Sequence, residues 1–483
     1  MASVRRSTRL LLVLAASAIA QSAAAQPAQA QRFDGKLSPC KVVGVDEDLQ
    51  CGQFSTFENR AARTGRRINL KVVVIPATSP DAARDAMVYL AGGGVLPATE
   101  YVGFFVRQFA QLRRSRDILL VDQRGTGESN PLPCAPLAPL LGVSPEDAYF
   151  ESIRRCRADL GGKADLRFYS TPLAMDDLDD IRAWLGYEQL TLYGMSYGTK
   201  AAQVYMRQYP SRVRAVAMHG VVPLNTSMWI DAPRLGQEAL DRVITLCGAQ
   251  AACASAFPQL RSEIDAIIER LAANPVVTEI TRPDGQRLTV TVGAPAVREF
   301  LYSTMGSAAS LRFLPFVMHS AHDGTYAPLA QRIAPAPAGR GVPRGVFLSI
   351  ACSEAIALID TAAIPAAGAG TFMGEAPIRR LVRTCASWPR SELPPGFWNP
   401  VAADVPVLLL TGELDQTTPP RYAESVAQSL RNSRHVLLPS RSHNDLDDCV
   451  SRIIESFLIT KEPGRADASC AAGPPIQFVT SRQ

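Results

Sequence analysis

The sequence predicts an α/β fold, with a mostly parallel central sheet interrupted by an inserted, mainly helical cap. Three observations predict it. Short apolar runs at 71–75, 87–90, 117–122, 189–193 and 213–218 alternate with helical patterns, the signature of a parallel sheet covered by helices. The alternation breaks off near residue 223, and strand signals resume only at 405–411 and 435–438. Between them lie helical stretches at 233–247 and 259–273, a Thr/Val-rich piece at 276–292 and a Pro/Ala/Gly-rich loop at 334–343. These breaks divide the chain into a first core part (31–222), a cap (223–400) and a second core part (401–483).

The first residues read as an export signal. Arg5, Arg6 and Arg9 precede an apolar run at 10–20, and small-residue cleavage sites end at Ala25 or Ala30. That run is short for a membrane span, which needs about 20 residues. Removing residues 1–25 therefore leaves no stable span, and the location expected is periplasmic or secreted. It also removes three arginines and no acids, which takes the formal net charge from +5 to +2. With charges mixed in sign and no basic block, no nucleic-acid partner is expected.

Ten cysteines behind an export signal point to an oxidised chain. Their order invites local pairing, Cys40 with Cys51, Cys134 with Cys156, Cys247 with Cys253, Cys352 with Cys385 and Cys449 with Cys470. None shows CxxC spacing, and no histidine stands at ligand distance from them in sequence, so neither metal nor other cofactor is expected.

Further along, Leu178, Ile181, Trp184 and Leu185 share one helical face, and Asp176, Asp177, Asp179 and Asp180 are expected near that helix's N-terminus, stopping at Gly186. The strand signal at 189–193 then runs into Gly194-Met195-Ser196-Tyr197-Gly198, which matches GxSxG, and a helix is predicted over 199–209, ended by Pro210. A serine in such a strand-to-helix turn is a candidate nucleophile, because the strained turn exposes its hydroxyl and the following helix directs free N–H groups toward it.

A serine nucleophile needs a base, and the base needs an acid. Of five histidines, His319 and His322 fall in the cap and His435 inside a strand run. His219 follows the strand at 213–218 and reads as a hydrogen-bonded loop histidine near the elbow. His443 follows the last strand signal in the polar turn Ser440-Arg441-Ser442-His443-Asn444, the place of the base in an α/β-hydrolase, where chain order is nucleophile, acid, base. Asp415, in Gly412-Glu413-Leu414-Asp415 after the strand at 405–411, is the acid; Glu413 is its nearest rival, and Asp445, Asp447 and Asp448 stand too close to His443 in sequence. Leu90-Ala91-Gly92-Gly93-Gly94 follows an early strand and suits an oxyanion loop, with the N–H of Gly93 or its neighbour and that of Tyr197 as donors.

Asp122-Gln123-Arg124-Gly125-Thr126-Gly127-Glu128-Ser129, the GMSYGT elbow ending at Thr199, and Gly412-Glu413-Leu414-Asp415 with Thr418-Pro419 together resemble the proline iminopeptidase and tripeptidyl aminopeptidase family of secreted α/β-hydrolases. The resemblance covers most of the mature chain, including Cys51-Gly52 and Glu58-Asn59-Arg60 upstream and the segment around His443 and Cys449 downstream. It implies Ser196 as nucleophile, Asp415 as acid and His443 as base. Where the family's oxyanion loop usually reads HGGPG, this chain has Ala91-Gly92-Gly93-Gly94-Val95, with Gly93 at the donor position and without histidine or proline. The resemblance also implies that Glu354, in Cys352-Ser353-Glu354, binds the free amine of a peptide substrate.

The function expected is an exported aminopeptidase that releases short N-terminal units through an acyl-enzyme. An esterase or lactonase on small acyl substrates shares the same triad, and a catalytically silent binding protein is the reading from outside enzymology.

Overall fold

The computed structural model describes residues 33, 35–79, 82–134, 146–334 and 344–481. The predicted export signal and most of the Pro/Ala/Gly-rich loop lie outside them. The sequence folds into a sheet of nine strands: β1 (Ser38–Val42), β2 (Val45–Phe57), β3 (Arg67–Ile75), β4 (Asp85–Leu90), β5 (Asp117–Val121), β6 (Gln189–Met195), β7 (Val213–His219), and, after a two-stranded hairpin of β8 (Val276–Thr281) with β9 (Arg287–Val292), β10 (Val407–Gly412) and β11 (Ser433–Leu438). Their order across the sheet is β1-β2-β3-β5-β4-β6-β7-β10-β11. Pairing is antiparallel from β1 through β5 and parallel from β5 to β11.

The apolar runs of β4, β5 and β10 are buried at every residue, as strands covered on both faces must be. Alternate side chains sort to opposite sides. Val88, Leu192, Val216 and Leu409 meet α3 (Thr171–Leu185) and α4 (Tyr197–Gln208) on one face. Tyr89, Tyr193, Ala217 and Leu410 meet α1 (Val102–Gln108) and α10 (Asp448–Thr460) on the other. Burying a single large apolar side chain in these layers stabilises the fold by roughly 1.5–3 kcal/mol.

Helix α3 begins earlier than the sequence pattern indicated. Its start is set by Thr171-Pro172, with proline in the first turn, where its missing N–H costs nothing. The four aspartates therefore lie in its middle rather than beside the N-terminal dipole; Asp179 pairs with Arg182 of the same helix, and cations from elsewhere meet the others. Arg124 forms a two-pronged pair with Asp177 at 2.6 and 2.7 Å, and Arg60 reaches Asp177 and Asp180. The helix ends as expected at Gly186, whose φ of 80° is the left-handed conformation glycine adopts without strain.

Between β7 and β10 the chain leaves the sheet. It forms α5 (Met228–Gly248), α6 (Leu260–Ala273), the β8–β9 hairpin, α7 (Ala294–Thr304), α8 (Arg344–Ile350) and α9 (Ala376–Cys385), among shorter elements. Leu240, Ile264, Val297 and Leu314 belong to one apolar cluster of this excursion. A second joins Val346, Cys352 and Trp388 to Phe150, Ile153 and Leu160 of α2 (Glu146–Gly161), so a helix from before the elbow packs with residues from beyond it. All ten cysteines are paired, Cys40–Cys51, Cys134–Cys156, Cys247–Cys253, Cys352–Cys385 and Cys449–Cys470, as their order in the chain indicated. Among the described residues no single helix is long and apolar enough to cross a membrane.

Candidate active site

The carboxyl ends of β4, β6, β7, β10 and β11 converge on Ser196. At the end of β6 that serine adopts φ 54° and ψ −120°, a conformation side chains rarely accept. Several bonds hold it there. Its N–H donates to the His219 carbonyl at 2.8 Å, and its own carbonyl accepts from the Thr199 hydroxyl at 2.7 Å, whose oxygen in turn accepts from the Val222 N–H at 2.9 Å. Thr199, read in the sequence as part of a motif, is thus a brace across the elbow. The two motif glycines answer to close approach: a side chain on Gly198 would collide with the Leu90 carbonyl, and one on Gly194 with the carbonyl of Gly198.

His443, from the turn after β11, brings Nε2 to 2.9 Å from Ser196 Oγ and Nδ1 to 2.8 Å from Asp415 Oδ2. The carboxylate fixes the ring proton on Nδ1 and leaves Nε2 to accept from the serine hydroxyl. Burial alone would lower the His443 pKa, but the Asp415 charge and hydrogen bond outweigh it and hold the pKa above the ordinary histidine value. Burial likewise opposes ionisation of Asp415, and the His443 and Thr418 contacts reverse that, keeping its pKa low. Both carboxylate oxygens are occupied. Oδ1 accepts from the N–H groups of Thr417 and Thr418 at 2.8 and 2.7 Å, and Oδ2 accepts from the Thr418 hydroxyl at 2.6 Å.

The rival acids are engaged elsewhere. Glu413 accepts from Arg242 and from the Ser440 N–H. Asp445 accepts from Ser442, Ser307 and Ala308, and Asp447 caps α10 while pairing with Arg441. Gln108 donates to Asp448.

His219 differs from its sequence reading. It is the last residue of β7, almost fully buried, and its Nδ1 has no hydrogen-bond partner among the described residues. Burial and the nearby His443 lower its pKa to about 4, so it is neutral.

The glycine-rich loop follows β4 and passes over the elbow, with the Ser196 Cβ 3.4 Å from where a Cβ on Gly92 would stand. Gly93 and Gly94 both have positive φ, 69° and 68°. Tyr197 is the first residue of α4, so its N–H has no acceptor within the helix. The Asp122-to-Ser129 segment supports this loop: Asp122 accepts from the Thr99 N–H and hydroxyl just beyond it, and from the Glu128 N–H.

Beside Ser196 opens a cavity of about 280 Å³, lined by Val222, Met228, Trp229, Phe347, Ile350 and others. Its charged groups are Lys200 and Glu354. Glu354, expected to hold a substrate amine, is fully buried in a π-helical turn (Ala351–Ala355) that also carries Cys352. Its Oε1 accepts from the Thr171 N–H at 2.7 Å, its Oε2 from the Thr171 hydroxyl at 2.9 Å, and Lys200 Nζ stands 3.7 Å from Oε2. The same Thr171 hydroxyl contacts the Tyr197 hydroxyl at 2.8 Å. Sequence reasoning missed Lys200 and Thr171; neither has a local signal, since each is defined by a partner far away in the chain.

A nine-stranded, mostly parallel sheet carrying a serine elbow between strand and helix defines an α/β-hydrolase. Comparison with known proteins agrees. Residues 90–244 match the family model "alpha/beta hydrolase fold", and residues 371–470 match the model "TAP-like protein". The chain is 25% identical to a tripeptidyl aminopeptidase of Streptomyces lividans over 522 aligned positions, covering 94% of this chain and 89% of that one. It is 25% identical to the serine protease Hip1 of Mycobacterium tuberculosis, covering 90% of each. A putative hydrolase of Escherichia coli, YuaR, is 29% identical over 194 residues, 38% of each chain. These matches support a serine hydrolase with the α/β-hydrolase fold, similar to known peptidases.

Proposed function

We propose that the protein is an exported aminopeptidase that releases short N-terminal units from peptides through an acyl-enzyme on Ser196. The observation that carries this reading is the unbroken hydrogen-bonded line from Ser196 through His443 to Asp415, at 2.9 and 2.8 Å. His443 takes the hydroxyl proton as Ser196 attacks the scissile carbonyl, and Asp415 stabilises the imidazolium. The N–H groups of Tyr197 and Gly93 receive the oxyanion, His443 returns the proton to the leaving amine, and water repeats the sequence to free the product. The excursion over residues 223–400 acts as a cap that walls the pocket, since Met228, Trp229 and Ile350 line it.

Export is supported by the five disulfides, a crosslink that forms and persists chiefly in oxidising compartments. The apolar pocket also favours a second reading, an esterase using the same residues. Turnover of free-amine peptide anilides, N-acetylated anilides and simple acyl esters separates the two. Fast cleavage of free-amine anilides, lost in Ser196→Ala together with fluorophosphonate labelling, is expected. Fast ester cleavage with no dependence on the free amine overturns the aminopeptidase reading, and unlabelled wild-type protein overturns both.

A further inference from the structure

We infer that Lys200 and Glu354 neutralise one another inside the cavity beside Ser196, so that this cavity selects an uncharged apolar side chain next to the scissile carbonyl, and the substrate's N-terminal ammonium lies outside it. The inference deepens the proposed function and rests on it for the identity of the reaction.

Four observations carry it. Lys200 sits on the first turn of α4, close behind the nucleophile, and is almost completely buried, as is Glu354. Their ion-pair distance is 3.7 Å, and Thr171 donates to each carboxylate oxygen of Glu354. Thus the acid's partners are supplied from within the fold. The remaining lining is dominated by apolar groups such as Val222, Met228 and Phe347.

A second ammonium entering here would be a charge without a counter-charge in an apolar setting, and burying it is costly because Lys200 and Glu354 already balance one another. Burial lowers the Lys200 pKa and raises that of Glu354, and each is opposed by the other's charge. The proton can rest on either group without changing the outcome, because the pair is net neutral both as ions and as neutral molecules. Geometry gives the same answer. An extended chain advances about 3.3–3.6 Å per residue, so when more than one residue is released the N-terminus lies well beyond a pocket that touches the nucleophile. The pocket adjoining Ser196 is then left to a side chain, and its walls fit an apolar one.

The test uses full-length mature protein and a set of peptide anilides that differ only in the residue preceding the scissile bond: Leu, Met, Phe, Lys or Glu. Wild type is expected to favour Leu, Met and Phe over Lys and Glu by at least about tenfold in kcat/KM, with products longer than one residue. Lys200→Met leaves the carboxylate uncompensated and is expected to improve Lys relative to Leu. Glu354→Gln leaves the ammonium and improves Glu. The double variant, near-isosteric and neutral, returns to the apolar preference, and it stays informative if either single variant folds poorly.

Release of single residues, with Glu354→Gln abolishing discrimination between free-amine and N-acetylated substrates, overturns the inference and makes Glu354 the amine receptor. A wild-type enzyme indifferent to side-chain charge also overturns it. If wild type cleaves no anilide, the aminopeptidase reading fails while the pocket is still read by thermal shift. Stabilisation by butaneboronic acid over 4-aminobutaneboronic acid supports the inference, and equal or reversed shifts overturn it.

Discussion

His443 Nε2 stands 2.9 Å from Ser196 Oγ although 247 positions separate the two residues in the chain. The contact works only while the imidazole is neutral, because a protonated ring cannot accept the serine proton. Asp415 raises the His443 pKa against the opposing effect of burial. The acid limb of kcat/KM is therefore expected above the ordinary histidine value of about 6.5, with activity rising as pH increases through it. In Asp415→Asn the raising charge is gone and burial remains, so the limb moves to lower pH while kcat falls by about 10⁴. A pH–rate profile of both proteins checks the direction of each change.

Thr418 makes a subtler prediction. Its hydroxyl donates to Asp415 Oδ2 at 2.6 Å and lies 3.0 Å from His443 Nδ1. Hydrogen bonds to charged groups are worth about 1.5–3 kcal/mol. Thr418→Val keeps the shape and removes the donor, so kcat is expected to fall by roughly 10- to 100-fold with KM little changed. Steady-state kinetics on one good substrate decides it, and Thr418→Ser should recover most of the loss.

Gly198→Ala tests the elbow's steric basis. The added methyl would run into the Leu90 carbonyl at the end of β4, strand backbone that cannot step aside. Overpacking of this kind costs about 1–3 kcal/mol. Urea unfolding should show a loss near the upper end of that range, together with a loss of turnover from a displaced Ser196.

Arg124 and Asp177 are both almost completely buried, and Arg124 also donates to the carbonyls of Glu58 and Phe168. Removing one member leaves an uncompensated charge inside the protein. Asp177→Asn is expected to destabilise by about 3–5 kcal/mol. Because the pair lies between α3 and the Asp122-to-Ser129 segment rather than at Ser196, fluorophosphonate labelling of the folded fraction should survive.

Replacing Cys352 and Cys385 together by serine removes a link that closes a separation of 33 residues. Chain entropy predicts a loss of about 3.7 kcal/mol. The π-helical turn that holds Glu354 contains Cys352, so side-chain selectivity in the anilide set should weaken beyond what reduced stability explains.

Much of this was legible in the residues themselves. Fully buried parallel strands such as β4 and β10 must be continuous apolar runs, and the elbow must carry glycines where backbones nearly touch. Each signal is local. The order Ser196, Asp415, His443 is likewise a linear fact, because each residue follows its own strand. Cysteines close in sequence paired locally, since short loops lose little entropy on closing.

What the chain could not disclose locally concerns charge meeting charge across long separations. Four aspartates in one stretch look like a helix start until Arg60 and Arg124 arrive from distant segments to meet Asp176, Asp177 and Asp180 in mid-helix. His219 looks like an ordinary loop residue until burial removes its partner and its charge. Glu354 gives no local sign of its partners Lys200 and Thr171, which the fold brings to it from distant segments. Sequence alone determined the α/β order, the elbow and the line of residues that could do the chemistry, because periodicity, glycine sterics and chain order act over a few neighbours. Tertiary structure alone decided which buried charges are already compensated, because a carboxylate's energy depends on what surrounds it in space.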